Sequence, residues 1–172
     1  MLSTILFSER LEVAHLPPLP NASGPLSSLN VKRTGNNVGQ DVNNPGNIMA
    51  ESPGQEEYAK RLGAIGKYTS PNGRTYAVFP DMNVGIMATH SDLSSKLAWG
   101  SSWVRPNTTL AQFASGWTVW PNAPLNQWAV NNYVTLTGYP SNTPISQIPK
   151  EKLIAAIVRN EGVNPSISAK IA

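Results

Sequence analysis

Glu161 is the side chain whose placement most favours acid chemistry. It ends the run Lys150-Glu151-Lys152-Leu153-Ile154-Ala155-Ala156-Ile157-Val158-Arg159-Asn160 and stands directly before Gly162. On a helix through this run, Ile154, Ile157 and Val158 share one stripe, and Glu161 prolongs that buried face instead of the wet one. Two effects should raise its pKa: partial desolvation by the apolar face and the negative end of the helix dipole. A carboxylic acid that keeps its proton near neutral pH is what glycosidic cleavage needs as a general acid. Glutamates in last helical turns are usually solvated, so Glu161 gains weight only from what else shares its site. Glu151 and Glu9 read as surface residues.

The second chemical segment is Asn43-Asn44-Pro45-Gly46-Asn47-Ile48. Three amides around a rigid Pro-Gly turn can donate to and accept from sugar hydroxyls and N-acetyl groups, although such a turn is also an ordinary structural one. Asn43, Asn44 and Asn47 are therefore candidate substrate contacts, with Tyr76 and Phe79 on the following strand. Trp117, Trp120, Trp128, Tyr133 and Tyr139 are at spacings more usual for packing than for sugar platforms. No second carboxylate is evidently placed. Glu51 follows the loop, Glu56 and Glu57 suit an exposed helix start, and Asp81 suits an N-cap. The chain has no cysteine, and His15 and His90 lie in no ligand spacing, so neither a metal site nor a cofactor is expected.

These groups have to be positioned by mainly helical structure. A short helix is predicted over 54–62. A hairpin follows, 67–70 and 74–79 about Pro71-Asn72-Gly73, where Asn-Gly supplies positive φ. Asp81 then caps a helix over 82–99 that carries Val84, Ile86, Met87, Leu93 and Leu97. Thr108 or Thr109 opens another short helix with Leu110 and Phe113. Pro124 begins a third that Gly138 stops, and Pro149 begins the last. Residues 1–41 read differently. Leu16-Pro17-Pro18-Leu19-Pro20 favours polyproline II, 35–40 is loop-like, and Leu2, Ile5, Leu6, Leu11, Val13, Leu26 and Leu29 follow no period. The division expected is an extended N-terminal arm, 1–41, that orders against neighbouring subunits, and a domain over 42–172.

Charged residues are 13% of the chain, against roughly a quarter in ordinary domains. A surface so rich in Asn, Ser, Thr and Pro suits cover by partners or contact with saccharide. The formal charge of +3 comes from scattered Lys and Arg, which argues against nucleic-acid binding. The apolar start, 1–7, is broken by Ser8, Glu9 and Arg10, so neither a signal peptide nor a membrane span is expected there.

The ordered set of segments resembles phage virion structural proteins with a lysozyme-like domain, and more distantly lytic transglycosylases and flagellar-type glucosaminidases. Asn43-Asn44-Pro45-Gly46-Asn47 is similar to their asparagine-rich loop. Tyr76-Ala77-Val78-Phe79-Pro80-Asp81, followed by Val84-Gly85-Ile86-Met87-Ala88, resembles their hairpin-to-helix segment. Gly116-Trp117 through Pro124-Leu125-Asn126-Gln127 resembles their tryptophan–proline stretch, and 154–162 with Asn164-Pro165 resembles their closing segment. The likeness spans about 43–166. It departs in order, since the acid-bearing helix usually precedes the loop and here closes the chain, and in Gly162 replacing the asparagine that usually follows the acid. A circular arrangement would still place Glu161 beside Asn43 and Asn44.

The resemblance implies a mainly α (α+β) lysozyme-like domain with one small β-hairpin. It also implies a virion protein that cleaves peptidoglycan glycan strands at the host cell wall during entry, with other virion proteins held through 1–41. A lone acid favours the lytic transglycosylase route over hydrolysis. A structural or adaptor virion protein that keeps the fold without turnover, and a non-catalytic peptidoglycan-binding module, are the competing readings.

Overall fold

The computed structural model describes residues 24–34, 37–99, 101, 103–118 and 124–162. The start 1–7, the proline-rich 16–20, Trp120, Asn164 and Pro165 lie outside the described residues.

Helix α1 (Val38–Asp41) is a single turn whose N-cap is Asn37. It was not legible in sequence, because four residues show no period. Helix α2 (Pro53–Arg61) starts on a capping box between Ser52 and Gln55, with proline in its first turn. The antiparallel hairpin of β1 (Gly66–Thr69) and β2 (Thr75–Val78) pairs Gly66 with Val78 and turns through Gly73 at φ 85°. Asp81 accepts the Val84 N–H at 3.0 Å and opens α3 (Met82–Trp99) as expected. Thr109 and Gln112 cap α4 (Leu110–Thr118) reciprocally. Helix α5 (Gln127–Thr137) begins after Pro124, because Asn126 takes the Ala129 N–H and so sets the start; it ends at Gly138. A 3-10 turn (Ile145–Gln147) leads into α6 (Lys150–Asn160). The described structure is thus mainly α with a small β-hairpin.

Two apolar clusters hold these elements. The larger joins α3, α4, α5 and α6 through Leu93, Leu110, Phe113, Tyr133, Leu153, Ile154 and Ile157. The smaller lies under the hairpin and contains Leu26, Ile48, Ala50, Ala59, Ala77, Phe79 and Ala88. Both hairpin edges are covered. Ile48 accepts the Ala77 N–H and Ala50 donates to Thr75 along β2, while Lys67 on β1 donates to Ser27 and accepts from Leu29.

That pairing corrects the expected arm boundary. Residues 24–34 are built into the domain, with Leu26 buried in the smaller core. Two carboxylates pin the segment. Glu56 accepts the Leu26 N–H at 2.8 Å and pairs with Lys67, so it is buried where an exposed helix start was expected. Asp41 accepts from the Thr34 N–H and hydroxyl and from Arg33. The Lys67 hydrogen bond, then the Leu26 N–H, holds Glu56 below its usual range, and the Thr34 contacts lead in lowering Asp41.

A depressed carboxylate contributes stability above its unfolded pKa, near 4, and that stability is lost as the pH falls through the folded value. Amide exchange at Leu29 and Lys67 should therefore accelerate on acidification beyond the intrinsic rate change, while the Leu153 amide in α6 keeps its protection. Glu56→Gln should reproduce the loosening at neutral pH. Equal protection in the variant and the parent would remove these carboxylates as the pins.

Candidate functional site

Glu161 sits at the C-cap of α6, and its residue is only 6% exposed. Burial pushes its carboxyl up from the ordinary range. The side-chain amides of Asn37, Asn47 and Asn160 favour its charged form and oppose that rise without cancelling it. Burial is thus the effect that the sequence led one to expect, and the amides are a counterweight it did not reveal. Tyr133 of α5 is fully buried nearby, and its ionisation is driven well up by burial and by the charge of Glu161.

The last helix was expected beside Asn43 and Asn44, but the loop residue that acts on the Glu161 carboxyl is Asn47, and Gln40 of α1 donates to the carbonyl of Gly162. The loop earns its geometry from its own amides. Asn43 and Asn47 take left-handed backbone, φ 54° and 51°, which asparagine tolerates better than most residues. Asn44 is wholly buried; its Nδ2 donates to Ile48 and Ala77 carbonyls at 2.9 Å each, and its Oδ1 accepts the Ile48 N–H at 2.9 Å. Asn43 donates to the Phe79 carbonyl at 3.1 Å. Asn44 is therefore a staple and not a substrate contact, and Asn43 ties the loop to the strand. Phe79, 1% exposed, belongs to the core and not to a sugar site.

A cleft of about 760 Å³ runs between the hairpin side and the helical side of the domain. Asn47, Tyr58 and Tyr76 face it from one side, and Trp103, Trp117 and Trp128 from the other. Of the expected substrate contacts, Asn47 and Tyr76 line this cleft, whereas Asn43, Asn44 and Phe79 do not. Glu161 does not face the cleft either. It lies behind Asn47, and behind Thr118, whose hydroxyl takes a hydrogen bond from Asn160 at 3.3 Å.

Trp117 is core-packed as expected, its ring tilted against those of Trp103 and Phe113, but Trp128 is 59% exposed at the rim. Tyr139 packs half-buried against the helical core.

Asp92 was missed in the sequence. It faces the cleft from α3, accepts the Tyr58 hydroxyl at 3.0 Å and pairs with Lys96, whose ammonium lies 5.5 Å from the Trp117 ring centre. Burial, then the charge of Asp92, pushes the Tyr58 hydroxyl up to about 12, so Tyr58 remains a donor. The signal was present: Gly85, Thr89, Asp92 and Lys96 follow helical spacing along one face of α3. Glu51 is exposed and paired with Arg74, and Glu56 is committed to Leu26 and Lys67. Among the described residues, no helix is long and apolar enough to cross a membrane.

Comparison with protein-family models, curated proteins and solved structures finds no match to this chain.

Proposed function

We propose that this chain is a lysozyme-like virion protein that cleaves peptidoglycan glycan strands during phage entry, with Glu161 as the proton donor. The observation that carries the reading is the junction of Glu161 with Asn47. It puts a buried carboxyl of raised pKa immediately behind a cleft lined by aromatic faces and amides. Aromatic rings match the apolar faces of pyranose rings, and amides match N-acetyl groups. The protonated acid gives its proton to the glycosidic oxygen. The C6 hydroxyl then closes on the oxocarbenium carbon, and Glu161 takes that hydroxyl proton, leaving a 1,6-anhydro end. For this transfer, the Asn47 side chain has to turn away from the carboxyl.

The test is digestion of purified sacculi by the full chain, with mass spectrometry of the soluble products. Muropeptides with anhydro ends support the reading; intact sacculi, with the chain folded and in its assembled form, overturn it. One observation favours a non-catalytic structural or adaptor virion protein: Glu161 is buried and does not face the cleft.

Trp128 offers a separate check on the ligand. Because its ring is exposed, Trp128→Ala should leave the thermal midpoint unchanged. It should weaken chitooligosaccharide or muropeptide binding roughly two- to tenfold, the effect of losing about 0.5–1.5 kcal/mol of ring contact. Unchanged affinity would remove Trp128 from the binding surface.

A further inference from the structure

We propose that Asp92 and Lys96 form a subsite in the cleft for a 2-acetamido sugar with a free 3-hydroxyl. Asp92 takes the acetamido N–H, and Lys96 donates to the neighbouring hydroxyl. The inference rests on reading the cleft as a glycan groove and names the sugar that the groove selects.

Asp92 and Lys96 stand one turn apart on α3, and both line the cleft. Asp92 is only 4% exposed. Its two hydrogen bonds converge on one oxygen: Oδ1 accepts the Tyr58 hydroxyl at 3.0 Å and also the Lys96 ammonium. These donors come from different helices, α2 and α3, so the carboxylate is held against rotation. Oδ2 takes no hydrogen bond from the described residues, yet it is not one of the polar atoms sealed from solvent without a partner. It therefore opens on the cleft, the space that Asp92 borders. A largely desolvated carboxylate oxygen without a donor is a strong acceptor for a ligand N–H or O–H.

Lys96 supplies the opposite polarity. One of its three N–H groups is spent on Asp92, and no other acceptor among the described residues takes the rest. Its ammonium lies 5.5 Å from the Trp117 ring centre, which sets the charged pair against the aromatic side of the cleft.

An acceptor and a donor fixed side by side match substituents on neighbouring ring carbons, which in the gauche arrangement are spaced much like hydrogen-bonded atoms. Two hydroxyls satisfy such a pair in either order and so fix no orientation. An acetamido group beside a hydroxyl satisfies it in one order only. The acetamido N–H solely donates and must face Oδ2, which leaves the hydroxyl oxygen to Lys96. A sugar whose C3 oxygen carries an ether substituent crowds the Lys96 side, so the subsite takes the unsubstituted one.

The test is calorimetric titration of the full chain with chitotetraose and cellotetraose, which differ at C2, acetamido against hydroxyl. The parent should bind chitotetraose at least about tenfold more tightly. Asp92→Asn keeps the volume, but Lys96 can only donate, so the Asn oxygen stays at the Oδ1 position and the NH2 group replaces Oδ2. Two donors then oppose each other, and chitotetraose affinity should fall roughly ten- to hundredfold. Cellotetraose, whose hydroxyl can turn to accept, should keep its affinity. Lys96→Met removes the donor to the C3 hydroxyl that both sugars carry, so it should weaken both alike and leave the preference standing. Thermal midpoints report whether each variant is folded. A folded Asp92→Asn that retains the preference, or a parent that binds both sugars equally, overturns the subsite and leaves the glycan reading intact. A parent that binds neither sugar defeats the glycan reading and the subsite with it. A preference that Asp92→Asn abolishes, in a chain that leaves sacculi intact, defeats the enzymatic reading and supports the subsite.

Discussion

Glu161→Gln is expected to keep the fold and to lower glycan cleavage by about 10²–10⁴-fold, equivalent to roughly 3–5 kcal/mol of barrier. Gln fills the same volume but cannot deliver a proton. The parent's activity should fall as the pH rises through the raised pKa of Glu161, because only the protonated form acts. Stability gives an independent reading of the same carboxyl. With its folded pKa above the unfolded one, its contribution is complete below the ordinary carboxylate range and is lost as the pH rises through the folded value. Urea midpoints of the parent should therefore drop across that window relative to those of Glu161→Gln. Full cleavage by the Gln variant would show that another group is the acid. Reducing ends among the products would point to hydrolysis, with Asp92, rather than Glu51 or Glu56, as the carboxylate beside the substrate.

Gly85→Ala should be the most damaging small substitution in the domain. Alanine within a helix normally gains about 1 kcal/mol over glycine. Here the opposite is expected, because a Cβ at position 85 would fall inside the carbonyl of Asn43, with the Pro45 ring also in contact. Backbone cannot yield as a flexible side chain can, so the loop must lift from α3 at a cost of roughly 3 kcal/mol or more. Lifting it also draws Asn47 away from Glu161. The variant should lose both thermal stability and the elevated Glu161 titration midpoint. A midpoint and melting temperature equal to the parent's would show that the loop does not rest on Gly85.

Much of this arrangement was legible because capping and periodicity are local. Asn72-Gly73, Asp81 and Gly138 each mark a boundary by their own chemistry, and the stripe through Ile154, Ile157 and Glu161 locates the acid without reference to any other segment. The inclusion of 24–34 in the domain was not legible. It depends on backbone pairing with β1 and on carboxylates at positions 41 and 56 that nothing nearby announces. Asn44 and Phe79 were misassigned for a related reason. An amide looks the same in sequence whether it faces a sugar or its own backbone, and Phe79 stands just past the end of β2, where alternation no longer fixes the face. Asp92 was overlooked because α3 packs against both apolar clusters, through Leu93 on one and Ala88 on the other, so the small and polar row 85, 89, 92 and 96 competes with two apolar faces.

The covered edges of the hairpin constrain how copies or partners of this chain can assemble. Strand addition needs a free row of N–H and C=O groups, and here Ser27 and Leu29 occupy the β1 side while Ile48 and Ala50 occupy the β2 side. The β2 side cannot be vacated without dismantling the loop that holds Asn47. The β1 side can be vacated by releasing 24–34, whose hold depends on Glu56 and Asp41. Any β-mediated assembly at this hairpin must therefore proceed by exchange: an incoming strand replaces 27–29, and the displaced segment becomes available to pair with a neighbouring copy in the same way.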